Sequence, residues 1–359
     1  QFGDMHTDIT RAFRNYHLFG FTGTPIFAEN ASSSGKANLR TTEQAFGDQL
    51  HSYTIVDAIR DKTVLPFRVD YLNSFRVRDG IDNHDVEGID TDSAYMNPQR
   101  ISAVVSYILE HFDQKTKRHA SFQYKERRVN GFNSLFATSS IKAARAYYQE
   151  FKRQQADLPE PRRLSVGIIY SYAPNAEAPG TGLLSDESMD PSALSQDDRA
   201  FLDEAIADYN QQFGASFGTD ASGFEGYYTS LSTALAERHI DLVIVVDMFL
   251  TGFDSKSLNT LWVDKNLRAH GLIQAFSRTN RILNSVKTFG NIVCFRNLEE
   301  ATNDAIALFG NKEARGQVLL RPYGEYLSTY LETIEQLRIG FPLPIGSIAS
   351  EKEQKRFID

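Results

Sequence analysis

The 359-residue chain holds one cysteine, Cys294, so no disulfide forms within it and a disulfide-stapled scaffold is excluded. No apolar run approaches the length of a membrane-spanning helix. The eight histidines show no metal-ligand spacing, which leaves no case for a zinc site. A phosphate-binding glycine loop of the Walker A type is also missing. The only Gly-Lys pair, Gly35-Lys36, precedes Ala37 instead of Ser or Thr, and Asn30 stands where the first glycine is required. Basic residues are in deficit: 38 Lys and Arg face 46 Asp and Glu, a formal net charge of −8. Contact with nucleic acid would therefore be local and not a property of the whole field.

What is present is a set of buried strands with polar punctuation. Hydrophobic residues make up 41% of the chain and aromatics 12%, enough to fill substantial cores over two domains. Asp241 to Asp247 is a nearly continuous β-branched run, the pattern of a strand covered on both faces of a parallel sheet. It runs into Leu250-Thr251-Gly252-Phe253-Asp254, placing a hydroxyl, a glycine and a carboxylate at a strand's C-terminal end, where open α/β sheets bind ligands. Further apolar runs follow at Thr260 to Lys265 and Asn291 to Arg296. Strand, loop, strand, helix, strand is a parallel-sheet rhythm, and the class is α/β.

Between the last two runs lies Gln274-Ala275-Phe276-Ser277-Arg278-Thr279-Asn280-Arg281. Gln274, Arg278 and Arg281 at i, i+4 and i+7 share one face if this stretch is a helix, which would then sit at the edge of the ligand-binding rim. Two guanidinium groups on a rigid element suit a small anion such as a nucleotide γ-phosphate, since arginine stays charged and binds phosphoryl oxygens in bidentate fashion. A solvated basic helix face has the same pattern. Near the start, Tyr16 to Phe21 reads as a short buried strand entering Thr22-Gly23-Thr24-Pro25, which leaves two hydroxyls at a turn; an ordinary structural turn reads the same way.

These pieces together resemble the motor of superfamily 2 helicases, and more closely the R subunit of type I restriction endonucleases. Phe21 to Pro25 is similar to helicase motif III, Leu250 to Asp254 to motif V and Gln274 to Arg281 to motif VI. Phe46 to Tyr53 and Val263 to Arg268 add to the likeness, which covers essentially the whole chain. The resemblance implies a RecA-like parallel sheet flanked by helices. It also implies that the chain is a fragment beginning at Gln1, after the family's nuclease domain, Walker A loop and acidic Mg-binding box. Expected domains are 1–95 (the end of a first RecA-like domain plus a linker), 96–308 (the second RecA-like domain) and 309–359 (the start of a helical domain).

The resemblance carries roles as expectations. ATP and Mg²⁺ would sit between two RecA-like domains of the intact enzyme, with none tightly bound to this fragment. Arg278 and Arg281 would act on the γ-phosphate as finger and clamp, with Gln274 coupling to the opposite domain. Asp254 would bind the ribose or order the arginine helix, Gly252 would allow close backbone approach, and Thr22 and Thr24 would link nucleotide state to DNA grip. Thr251, Ser139 and Ser140 would touch DNA phosphate, although either serine also serves as a plain helix N-cap. Double-stranded DNA and the modification and specificity subunits are the implied partners, in a bacterial or archaeal cytoplasm. A helicase or remodeller without restriction activity, or a non-catalytic interaction module, would carry the same motifs.

Local signals complete the expectations. Phe67 to Tyr71 is a strand assigned with the first domain, and Gly80 to Asp92 an acidic connector. Asn97-Pro98 opens a helix with Ile101, Val104, Val105, Ile108 and Phe112 inward. Ser134 to Thr138 and Ser165 to Tyr172 are strands, Ala173 to Ser195 is an insertion, Ser195 caps a helix that ends at Gly214, and Asn297 caps another that stops at Gly310. Gly214-Ala215-Ser216-Phe217-Gly218 matches a nucleophile elbow, but follows a helix where an elbow needs a strand. Asp113-Gln114-Lys115 mimics half a nuclease site but falls at a helix end.

Overall fold

The computed structural model describes residues 9–23, 25–28, 31, 40–72, 94–170, 194–310, 315–321, 323–341, 348 and 350–358. They form two compact units, 1–318 and 319–359. In the first, two short helices, α1 (Thr42–Phe46) and α2 (Ile55–Arg60), each open on a threonine capping box and precede strand β1 (Phe67–Tyr71). Helix α3 (Pro98–Lys115) follows, with the Asn97 side chain accepting from the Gln99 amide and Pro98 in the first turn. Its buried face carries Ile101, Val104, Val105, Ile108 and Phe112, as the 3.6-residue period predicts.

A hairpin of β2 (Ser121–Tyr124) and β3 (Arg127–Asn130) then leads to β4 (Asn133–Thr138), α4 (Ile141–Gln155) and β5 (Val166–Ile169). Helices α5 (Gln196–Phe213) and α6 (Ala221–Ala236) precede β6 (Leu242–Val245) and β7 (Leu258–Asp264), then α7 (Ala269–Phe276), β8 (Gly290–Cys294), α8 (Glu299–Phe309) and the single turn α9 (Arg315–Val318). The six-stranded sheet has the order β1-β8-β7-β4-β6-β5, with every pairing parallel. All residues of β4, β6, β7 and β8 are buried, the signature of strands covered on both faces. Aromatic rings fill the core around β4: Phe136 meets Tyr147 at 4.7 Å and Phe295 at 6.2 Å between centroids. The expected mixed α/β fold with a helix-flanked parallel sheet is what the chain adopts.

Several local expectations change. Tyr16 to Phe21 forms no strand, and Tyr16, Phe19 and Phe21 are exposed, Phe21 at 96%. An apolar run becomes a buried strand only where a sheet receives it, and none among the described residues does. Strand β1 was expected with the segment before the acidic connector, yet it is hydrogen-bonded to β8 and forms one edge of the sheet. The connector itself and most of the insertion lie outside the described residues. Leu298, not Asn297, occupies the N-cap of α8, without a side-chain bond. Helix α6 and the hairpin went unread in the sequence; Asp220 caps α6, its carboxylate accepting from the Gly223 amide.

The second unit contains α10 (Tyr323–Gly340) and α11 (Glu351–Ile358). Tyr326 and Tyr330 are exposed on α10, and Phe341 meets Phe357 edge to face at 5.1 Å. The charged run Glu351 to Lys355 is solvent-facing helix, as its composition implied.

Candidate functional site

The connection from β6 to β7 contains no helix. Because both strands run the same way and flank β4, residues 246–257 must descend from the C-terminal tip of β6 to the N-terminal start of β7. The backbone turns sharply at two places with positive φ, Phe249 at 66° and Gly252 at 68°. At Gly252 a β-carbon would meet nothing, so the left-handed conformation is the reason glycine suits the position. Phe249 is a strained exception, held by complete burial and by ring contacts to Tyr228 at 5.2 Å and Phe253 at 4.9 Å.

The arginine segment differs from its expected form. Helix α7 ends at Phe276, residues 277–278 are turn and 279 a bend, and Arg281 sits in an isolated bridge with Val64. Gln274, Arg278 and Arg281 therefore do not line one helical face. Nor does the segment sit at the C-terminal rim. A helix linking two parallel strands runs antiparallel to them, so its far end returns to the N-terminal edge of the sheet. Leu65 donates to the Asn280 carbonyl at 2.8 Å, and Gly290 donates to the Pro66 carbonyl at 2.9 Å, both at the start of β1 and β8. Gly290 has no room for a β-carbon because Thr279 and Phe67 crowd it, which brings the segment against the sheet edge.

The structure still joins the two motifs. Arg278 donates from Nε to the Gln274 carbonyl at 3.1 Å and from a terminal nitrogen to the Phe253 carbonyl. Arg281 pairs through Nε with Asp254 at 2.9 Å, with side chains 46% and 63% exposed. Such an exposed pair adds at most ~1 kcal/mol to stability, so its consequence is orientation of a guanidinium that solvent still reaches. Thr22 lies exposed outside any helix or strand, and Thr24 falls outside the described residues. Thr251 is half-buried in the upper part of the descending loop.

At the opposite edge, β4 ends at Thr138 and Ser139-Ser140 lead into α4. Ser140 Oγ accepts from the Ala143 amide at 3.2 Å, so it is the N-cap. Beside it, Thr138 is in register with Asp264. Asp264, 2% exposed, accepts from Arg100 at 2.6 and 2.9 Å, from the Tyr147 hydroxyl at 2.6 Å and from Arg296 Nε at 3.2 Å. Burial works against its charge, but the hydrogen bonds and charge of Arg100, then of Arg296, prevail and hold its carboxyl below the ordinary range. Burial, then the Asp264 charge, pushes the Tyr147 hydroxyl up and keeps it a donor. Lys265 and Asp247 pair at 3.0 Å beyond the tips of β7 and β6. Sequence reading missed this network, although a charged pair ending an apolar run, Asp264-Lys265, is its one local signal.

No group of three His, Cys, Asp or Glu among the described residues is arranged to hold a metal. No helix among them is long and apolar enough to cross a membrane.

The described residues thus form an α/β domain with an all-parallel sheet flanked by helices, in which a helix-free Thr-Gly-Phe-Asp loop is joined to an arginine segment. Residues 1–99 match the family model of the SWI2/SNF2 ATPase, and residues 130–297 match that of type I restriction enzyme subunit R domain 3. The endonuclease subunit of a type I restriction enzyme from Staphylococcus aureus (strain COL) is 38% identical over 365 residues, covering 100% of this chain and 36% of that protein. The corresponding subunit from Staphylococcus saprophyticus is 39% identical over 365 residues, again covering 100% of this chain and 36% of the relative. The chain belongs to the R-subunit family of type I restriction enzymes, and it spans about a third of the length of these relatives (36%). A solved fragment of an HsdR subunit from Vibrio vulnificus YJ016 aligns over 75% of this chain and 39% of its own at 12% identity, with a TM-score of 0.42, too low for a shared fold to be read from it.

Proposed function

We propose that the chain forms part of an ATP-driven motor that moves double-stranded DNA through a type I restriction enzyme before cleavage. The observation that carries this is the joining of Arg278 and Arg281 to Phe253 and Asp254, with Arg281 held in place and still open to solvent. In that state Arg281 would engage the γ-phosphate as finger or clamp, with Arg278 in the other role and Gln274 coupling the segment to the facing domain. The ion pair supports the ordering role for Asp254 over ribose binding. Gly252 supplies the turn that delivers Asp254 to the arginines.

The sequence has no Walker A loop and the described residues offer no metal cluster, so this chain's own share of the chemistry is the arginine side of the nucleotide site. Phosphate cradle and Mg²⁺ ligands would come from elsewhere in the intact protein, and Mg²⁺ would offset charge on the phosphates there. Thr22 and Thr24 would relay nucleotide state, while Thr251, Ser139 and Ser140 would meet DNA phosphate, which suffices for tracking without sequence readout. The opposite placement of the two groups suits this division: Ser139 and Ser140 lie at the C-terminal edge of the sheet and the arginines at the N-terminal edge. DNA-site choice would belong to the specificity subunit and methylation to the modification subunit. In the intact R subunit, Arg278→Ala or Arg281→Ala should lower DNA-stimulated ATP turnover on the order of 10³-fold. Near-normal turnover in both variants would refute the assignment.

A further inference from the structure

We propose that Lys287 is a positioning residue for the arginine segment, a buried clamp that keeps Asp254 and Arg281 in register; the proposal rests on the phosphate-binding reading of those arginines. Lys287 is 1% exposed, and its Nζ donates to the carbonyls of Lys256 at 2.9 Å and Leu258 at 2.6 Å. Lys256 lies just beyond Asp254, and Leu258 begins β7. Lys287 itself follows Arg281 and precedes β8. The ammonium thus ties the foot of the descending loop to the stretch between the arginines and the next strand.

The surroundings leave the clamp little freedom. The Lys287 amide donates to Asn284 Oδ1 at 3.1 Å, and Asn259 Nδ2 donates to the Phe289 carbonyl at 2.7 Å. Lys117, from the turn after α3, donates to the Val286 carbonyl at 2.6 Å and to Thr288 Oγ1 at 3.1 Å. The Asp254–Arg281 pair orients the guanidinium but at this exposure adds too little to fix the two segments that carry it, so its register depends on the backbone beneath it. The ammonium makes specific, charge-assisted bonds to both carbonyls, which a methionine there would leave without this donor.

The charge of the clamp is coupled to the pair it supports. Burial pushes the Lys287 pKa down to about 7, the Asp254 carboxylate opposes this and the Arg281 guanidinium adds to it. The charged groups whose fields reach it are Asp254 from the descending loop and Arg281 from the arginine segment. The amine still donates when neutral, but its bonds lose charge assistance as pH rises through that value.

Three measurements test the clamp. In the 359-residue chain, lysine ¹³Cε resonances should place the Lys287 midpoint near neutrality; Asp254→Asn should move it down and Arg281→Ala up, and an unmoved midpoint in both overturns the coupling. Lys287→Met should raise amide exchange across residues 254–258 about tenfold while leaving β4 and β6 unchanged. In the intact R subunit, the same variant should lower kcat for ATP about tenfold at constant KM, and should remove a limb near pH 7 from the wild-type kcat profile. Wild-type exchange rates, or a wild-type kcat with the same limb, overturn the proposal. Should Lys287→Met fail to fold, the resonance titration still decides. If Arg278→Ala and Arg281→Ala both leave turnover intact, the phosphate reading falls, while titration and exchange still judge the clamp.

Discussion

Asp264→Asn isolates the contribution of the buried charge network at the tip of β7. The side chains of Arg100, Arg296 and Asp264 are 5%, 3% and 2% exposed, so solvent screens the carboxylate poorly. Asparagine keeps the shape and one acceptor, but it removes the negative charge from two arginines and turns an amide donor toward them. Removing one partner of such a buried pair costs about 3–5 kcal/mol, a large share of the ~5–15 kcal/mol that holds a typical domain together. Urea denaturation followed by circular dichroism should show the midpoint falling with the slope unchanged.

The pH dependence fixes the sign independently. The Asp264 carboxyl has its pKa lowered from 3.8 on folding, so its contribution is complete above that value and disappears only as pH falls through the folded-state pKa. The gap between wild type and Asp264→Asn should therefore stay constant between about pH 5 and 7. Adding Arg100→Met to Asp264→Asn should recover part of the loss, because one buried cation is then gone. A loss below ~1 kcal/mol for Asp264→Asn would show that the network is solvated or compensated, and would refute the reasoning.

Two further outcomes concern single residues. Ser140→Ala should destabilise the chain by about 1 kcal/mol through loss of the cap on α4, measured as a midpoint shift in urea; a neutral result would mean the hydroxyl does not satisfy the Ala143 amide in solution. For Lys287 the sign follows from its depressed pKa. The unfolded chain binds the proton more tightly between about pH 7 and 10.5, so wild-type stability gains relative to Lys287→Met across that window, by up to ~1.4 kcal/mol per pH unit. Parallel stability curves for the two proteins from pH 7 to 9.5 would contradict a buried, titrating lysine.

Strands whose own sequence carries burial on both faces were legible. The apolar runs at 134–138, 241–247, 260–265 and 291–296 became β4, β6, β7 and β8, and Asn97, Ser140 and Ser195 became the N-caps their residue types foretold. Helix α6 was not read, because Gly223, Gly226 and a run of Ser and Thr weaken its propensity while packing of Phe224, Tyr227 and Leu231 outweighs it. Tyr16 to Phe21 failed in the other direction, since its apolar pattern states a capacity to pair that no described strand meets.

Composition and motif spacing carried the parallel α/β class and the resemblance to type I R subunits, and marked Asp254, Gln274, Arg278 and Arg281 as candidate site residues. Tertiary structure alone decided how they meet. Helical spacing placed both arginines on one face at the C-terminal rim, whereas the chain ends its helix at Phe276 and presents them at the N-terminal edge of the sheet, locked to Phe253 and Asp254. The reason is topological: periodicity reports which residues share a face only while a helix lasts. Where the helix ends, which sheet edge it reaches and which distant carboxylate or carbonyl it finds there depend on strand order, which no local pattern encodes. Arg100, Asp264 and Lys287 make the same point, because their roles depend on contacts across the fold that only the packed sheet creates.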